Sequence, residues 1–319
     1  MRSAQLAEQS HLADRARPML ARSATGARAR TGMRPGRIAA YVVLIAGAVV
    51  MIFPFFWMLV TSFKTLAEIN LSPPTIFPHD WRPQNYVTAW TKPPSSFTQY
   101  FINSAIISVV GTALQVLMAV LAAYAFAMLD FPGKNILFVL FLATLMIPFE
   151  VTLIPNFVTV RHFPLLGGND LFGNGGKGLY NTYAGMILPG AASGFSVFLL
   201  RQAFMTVPRE YWEAAQIDGC SRRYFLWRVL VPLAMPAIST VALFALLARF
   251  NALLWPLVIT GTEKLRPVQV GIYYFRSGEA SYLNLVMAAS AFVMLPAIIL
   301  YAFTQRRFVE GLASTGIKG

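Results

Sequence analysis

The sequence predicts an all-α, polytopic membrane protein with six transmembrane helices and one short extra helix on the cytoplasmic side, between the fourth and fifth spans. Three observations predict it. Hydrophobic residues make up 56% of the 319 and charged residues only 12%, about half the ~25% charge of an ordinary soluble domain; a surface so poor in charge is stable against lipid rather than water. The apolar residues fall into six blocks, each long enough at ~1.5 Å per residue to span ~30 Å of hydrocarbon. The basic residues lie between those blocks, not on one folded face.

Residues 1–37 are polar and rich in Arg and Ala, with no sustained apolar period, and read as a disordered cytoplasmic tail. A signal peptide would carry its apolar stretch nearer the start and a small-residue cleavage site after it. The first span runs from Ile38 to about Phe63 and is followed by Lys64 and an extracytoplasmic loop over 64–101. The second, Ile102 to Met128, is almost free of charge. The third, Ile136 to about Val158, contains Pro148, Glu150 and Pro155, so its last turns should be kinked or broken. Thr182 to Phe204 is the fourth span, about Leu230 to Ile259 the fifth and Leu283 to Thr304 the sixth, leaving 306–319 as a cytoplasmic tail. Proline and glycine are tolerated in spans where neighbouring helices satisfy the freed backbone groups, so 102–305 should form a packed core. Gly190-Ala-Ala-Ser-Gly194 reads as a small-residue face for helix packing.

Lys and Arg set the orientation. With the N-terminus inside, seventeen basic residues fall on the cytoplasmic side, among them Lys134, Arg201, Arg222 and Arg307, and eight fall outside. Both termini are therefore expected in the cytoplasm, with the tail arginines against anionic membrane lipid.

The same composition excludes several function classes. A net charge of +13 could suit nucleic acid, but no basic, aromatic-studded face gathers it. Cys220 is the single cysteine, so there is no internal disulfide framework and no paired-cysteine metal site. His11, His79 and His162 are isolated and lack metal-ligand spacing. A membrane-embedded enzyme acting on lipid-linked substrates would need clustered acids or histidines at one membrane face, and the sequence shows none.

The informative segment is the loop between spans four and five, from Pro208 through Glu213-Ala214-Ala215 to Asp218-Gly219, followed by Val229-Leu-Val231-Pro232. Pro208 suits the first turn of a helix, Glu210 suits its positive end, and Gly219 suits the left-handed residue that stops it. Glu-Ala-Ala, three residues, Gly, nine residues, then aliphatic-x-aliphatic-Pro resembles the EAA loop of ABC importer permeases. Val229 and Val231 stand where Ile and Leu are more usual in that family. Pro54-Phe-Phe-Trp57 with Thr61-Ser62-Phe63-Lys64, Asn103-Ser104, Met146-Ile-Pro148, Phe198-Leu-Leu-Arg201-Gln202, Asn251 with Trp255-Pro256-Leu257, and the C-terminal Arg307-Phe308-Val309 with Gly311-Leu312 are similar, in the same order, to the maltose-type carbohydrate permeases.

The resemblance implies a permease subunit forming half of a translocation pathway for a carbohydrate, with no catalysis of its own. It assigns Glu213, Ala214, Ala215, Asp218, Gly219 and Pro232 to coupling with an ATPase. It implies a second homologous permease, an ATPase dimer that binds the ATP and Mg, and an extracytoplasmic solute-binding protein. Import of a phosphorylated polyol such as glycerol phosphate is the alternative.

Two segments depart from that pattern. The loop from Arg161 to Asn181 is long and glycine-rich. It is not a phosphate-binding loop, because Leu171 occupies the first glycine position and Gly178 replaces the hydroxyl residue. In Arg249-Phe250-Asn251-Ala252 an arginine stands where the family has a small residue. Arg249 lies inside the fifth span and needs a partner or a wet path. Two readings are open: an ion pair with Glu150, or a place on the pathway that favours a solute with phosphate or carboxylate. Asn251 lies on another side of the helix and remains a candidate pathway contact.

Overall fold

The computed structural model describes residues 35–91, 96–277 and 282–316. Most of the tail read over 1–37 lies outside the described residues, as do Lys318 and Gly319. The chain divides at Pro54 into two units. The first is, in its described part, the leading portion of helix α1 (Pro35–Ser62), and its described side chains are all exposed, Val50 and Met51 at 72% and 75%.

The second unit begins at Phe55, within α1. It continues with α2 (Leu66–Ile69), α3 (Gln84–Thr91), α4 (Phe97–Met128), α5 (Lys134–Ala143) and α6 (Phe149–Arg161). After these come α7 (Tyr183–Ile187), α8 (Gly194–Met205), α9 (Glu210–Ile217) and α10 (Arg222–Phe225). A π turn over Leu226–Leu230 leads to α11 (Val231–Leu233) and α12 (Met235–Phe250), followed by α13 (Leu254–Ile259), α14 (Val268–Ser277) and α15 (Leu283–Gly316). Short 3-10 turns follow α5 and α7 and precede α14. No strand occurs among the described residues. The protein is all-α.

Two helices, α1 from Ala39 and α4, are long and apolar enough to cross a bilayer unbroken. Three further apolar stretches are bent pairs: 134–146 with 149–161 at 103°, 183–190 with 194–205 at 50°, and 222–233 with 235–250 at 79°. The stretch over 136–158, expected to be kinked or broken, is two helices at more than a right angle, with Pro148 in extended conformation at the break. The spans expected over 182–204 and 230–259 are not continuous either. Proline removes an N–H and pushes the residue before it out of helix, and Pro189, Pro232 and Pro236 flank these breaks. The small-residue face over 190–194 is a junction instead: Ser193 ends it by accepting a hydrogen bond from the Ser196 N–H, which caps α8. Gly194 keeps a helix-packing role, since a Cβ there would stand 2.9 Å from Leu145 Cδ2.

Helix α4 is the hub and packs mainly on α8 and α12. Ala119 and Ala123, four residues apart and at most 1% exposed, let Val197, Leu200 and Phe204 of α8 approach closely, with Leu230 and Val241 completing the cluster. Small residues at such seams matter because helices in lipid associate through close packing. α4 starts five residues before its apolar block because Phe97 and Tyr100 are buried against Val268 of α14 and Val293 of α15. Large apolar side chains elsewhere face outward, such as Ile136 and Val139 on α5 at 69% and 63% exposed. In water this would be a large sticky patch; on a membrane protein it is the lipid-facing coat.

Asn103 ties the N-terminal end of α4 to the segment before α14. Its Nδ2 donates to the carbonyls of Lys264 (2.8 Å) and Arg266 (2.9 Å), while its Oδ1 accepts from Gln99 (3.0 Å) and the Tyr183 hydroxyl (2.6 Å). One turn-residue on, the Ser104 hydroxyl accepts from the Val268 N–H at 2.8 Å. Asn103→Leu takes the partner from two carbonyls and from the half-buried Tyr183 hydroxyl, at up to ~1–3 kcal/mol each. We expect the melting temperature of the purified protein to fall by several degrees; an unchanged melt would remove Asn103 from this role.

Candidate functional site

Three helix breaks meet at one cavity of about 580 Å³. The break before α6 contributes Phe149, Thr152 and Asn156; the junction before α8 contributes Pro189, Gly190 and Ala192; the break between α12 and α13 contributes Arg249, Leu253 and Trp255. Ile107 and Gln115 of α4 form its floor. Non-helical backbone at membrane depth is tolerated where it lines such a cavity. The volume lies in the ~300–1,000 Å³ range of small-ligand sites, and the walls are mostly apolar with a few polar groups.

Arg249, in the last turn of α12, is the charged group among those lining residues. A charge at the middle of a span costs ~2.5–3.5 kcal/mol on insertion scales, so its partners matter. They are neutral. Gln115 Oε1 accepts from Nε (3.3 Å) and Nη2 (3.2 Å), and the Gly190 carbonyl also accepts from Nη2. Gln115 is held in turn, because its Nε2 donates to the buried Ser196 hydroxyl at 2.9 Å. Gly111 makes room: a Cβ there would stand 2.5 Å from Nη1.

The ion pair of Arg249 with Glu150 is not formed. Among the described residues no acid pairs with Arg249, and Glu150 sits exposed in the first turn of α6, outside the cavity wall. A cation inside a span is usually paired with an acid or faces a wet path; here an amide and a carbonyl supply the acceptors. Asn251 also falls outside the cavity. It ends α12, and its Oδ1 accepts from Gln269 at 3.3 Å. Gln115, Gly111, Gly190 and Ser196 were missed. A signal existed: Gln115 is the only amide in α4 after Asn103.

The second candidate is α9. Pro208 precedes the helix, and Arg209 is its N-terminal flanking residue. The helix ends with Asp218 and then Gly219 at φ +74°, while the N–H of Gly219 reaches the Gln216 carbonyl (3.0 Å) and that of Cys220 reaches Ala215 (2.8 Å). That pair of bonds is the Schellman stop. One face is anchored: Trp212 stacks edge-on against buried Phe225 at 5.0 Å, and Ala215 packs on the core cluster. Tyr211, Glu213, Ala214 and Ile217 project outward, Ile217 at 88% exposed. Pro232, exposed, sits where the π turn passes into α11.

The glycine-rich segment between α6 and α7 folds on itself. Asn169 Nδ2 donates to the carbonyls of Arg161 (2.9 Å) and Phe163 (3.0 Å), and its Oδ1 accepts from the Gly176 N–H (2.8 Å). Asp170 Oδ1 accepts from Phe172 and Asn174, both at 2.8 Å. These are side-chain-built turns of the kind Asn and Asp favour, not a phosphate cradle.

Comparison with known proteins settles the family. The model of the "Binding-protein-dependent transport system inner membrane component" matches residues 115–313. The chain belongs to that family. It is a membrane-embedded permease subunit of an ABC transporter and not an enzyme. The permease is 31% identical over 278 residues to the diacetylchitobiose uptake system permease protein NgcG of Streptomyces coelicolor, covering 86% of this chain and 87% of that one. It is 30% identical over 274 residues to the arabinooligosaccharides transport system permease protein AraQ of Halalkalibacterium halodurans, covering 85% and 93%. Its fold is similar, at TM-score 0.70 and 22% identity over 84% of this chain and 95% of the other, to a bacterial ABC transporter involved in the import of the acidic polysaccharide alginate.

Proposed function

We propose that the permease forms half of an import pathway for a carbohydrate across the cytoplasmic membrane, and that the cavity at the three helix breaks is its share of the solute path. The observation that carries this is the cavity itself: a space of about 580 Å³ walled by discontinuous helices that also bend at 50–103°. Broken helices give a wall that rearranges as rigid pieces, which alternating access requires. The named relatives that handle oligosaccharides favour a carbohydrate. α9, with Glu213, Ala214, Ala215, Asp218 and Gly219, is the coupling helix that docks on a separate ATPase dimer, where the ATP and Mg bind. A sister permease completes the path and an extracytoplasmic binding protein delivers solute; both termini of this chain lie inside.

The test is reconstitution of the permease with its sister subunit, ATPase and binding protein into liposomes. ATP should drive accumulation of at least one labelled oligosaccharide, with no accumulation when any one component is omitted. Passage of solute through this chain alone, without ATP, would replace the reading with a simple channel.

A further inference from the structure

We propose that Arg249 makes the cavity select solutes carrying an oxyanion (carboxylate, sulfonate or phosphate), so that the carbohydrate this permease passes is an acidic one. The inference rests on the cavity being part of the solute path.

A guanidinium has five N–H donors. Three are used: Nε and one Nη2 hydrogen on Gln115 Oε1, and the other Nη2 hydrogen on the Gly190 carbonyl. Among the described residues nothing accepts from Nη1, and no carboxylate lies against the group. Both acceptors are neutral, so a full positive charge remains on the cavity wall. The group is also aimed. Ser196 fixes the Gln115 amide, Gln115 fixes the guanidinium, and Gly111 and Gly190 leave a flat bed beneath it, where a Cβ would stand 2.5 Å from Nη1 and 3.1 Å from Nη2 respectively. Four residues from three separate elements thus hold one cation still and leave its charge unanswered. The two free Nη1 hydrogens bond most strongly to an anionic oxygen, because a charge-assisted bond to a carboxylate or phosphate is roughly twice as strong as one to a neutral acceptor. A hydroxyl accepts a hydrogen bond from that group but leaves its charge unneutralised, whereas an oxyanion does both and so offsets the cost of a cation held inside the membrane.

The complete transporter, purified with its partner subunits, is titrated with D-glucuronate and with D-glucose while tryptophan fluorescence is followed. Trp255 lines the cavity, and a Trp255→Phe transporter supplies the background. Glucuronate should bind roughly tenfold more tightly than glucose or better, a difference of ~1.4 kcal/mol per decade. That ratio should fall to near one in Arg249→Gln and be intermediate in Arg249→Lys, which keeps the charge but loses the planar group that Gln115 and Gly190 hold in place. Gly111→Ala, which pushes the guanidinium aside without removing it, should lower the ratio as well. Equal affinities in the unsubstituted transporter overturn the proposal, as does a ratio unchanged by Arg249→Gln. So does a transporter that falls apart in Arg249→Gln but assembles in Arg249→Lys, because the charge is then answered by an acid of the sister subunit. Uptake is measured separately. Glucuronate preference in a transporter that accumulates no carbohydrate would sink the functional reading and leave the oxyanion site standing; accumulation of neutral saccharides with no such preference would do the reverse.

Discussion

Reversing the charge of Glu213 and replacing Gly219 with valine in the same chain should abolish ATP-driven uptake in the reconstituted transporter while leaving the permease inserted in the membrane. The two substitutions strike different parts of the same helix. Glu213 is exposed in the first turns of α9, so its loss leaves no core group unpaired and its effect must be felt by whatever α9 docks on. Gly219 sits at φ +74°, a conformation that costs an ordinary L residue ~1–2 kcal/mol and a β-branched one more. No atom lies within 4 Å of where its Cβ would be. The strain therefore acts on the Schellman stop alone and changes the direction in which the chain leaves α9. Uptake and solute-stimulated ATP hydrolysis should both drop to background, and the ATPase should dissociate more readily in pull-down. If the double variant transports normally, α9 is only a surface helix.

Gly178→Val should unfold the segment between α6 and α7. Gly178 adopts φ +56°, and a Cβ there would collide with the carbonyl oxygens of Val160 and Arg161. Both obstacles are main chain, so neither can swing away. The left-handed penalty of ~1–2 kcal/mol adds to a clash that nothing relieves, and it falls on the two carbonyls that accept from the Leu179 N–H and from Asn169 Nδ2. Asn169 would lose its bonds to Arg161 and Phe163 as the segment opens. Trypsin is the direct probe, because Arg161 and Lys177 lie at the two ends of the segment. The unsubstituted protein should resist cleavage at both, and the variant should be cut within minutes. A variant as resistant as the parent would show that the loop tolerates the side chain.

What the sequence made legible follows from which forces act locally. The apolar blocks and the stop at Gly219 were readable because lipid solvation and backbone sterics leave a mark on each residue involved. The breaks at 191–193, at Ala234 and at 251–253 were not, because Ala191, Ala192, Ala234, Ala252 and Leu253 are as apolar as the helices they interrupt. Hydropathy does not register a change of direction. The prolines nearby hinted at irregularity, as Pro148 and Pro155 did for the third span, but a proline inside a helix such as Pro54 or Pro155 leaves it unbroken, so the residue alone decides nothing. The surroundings of Arg249 were hidden for a different reason. Its partners stand 134 and 59 positions away, and neither a neutral amide nor a glycine carbonyl announces itself as a cation's neighbour in the linear chain. Charge arithmetic led to Glu150, the acid in the third span, when dipoles were sufficient.

The corner between α10–α11 and α12 has a mechanical consequence. The chain leaves α9, enters a helical rod at Arg222, loosens by one π turn over Leu226–Leu230, and changes direction by 79° at Ala234 before running to Arg249. Phe225, Leu226 and Leu230 are all buried, with Leu230 fully so, and the π turn is therefore gripped along its inner face. Two helical arms that meet at 79° about the buried Ala234 have the geometry of a bell crank. A displacement applied at the α9 end would be handed to the α12 arm in a different direction, and the far tip of that arm carries Arg249. A few ångströms of sideways travel at the membrane surface would then register at the cavity as a tilt of its charged wall, so the grip on a solute and the stroke of the motor would be two readings of the same lever.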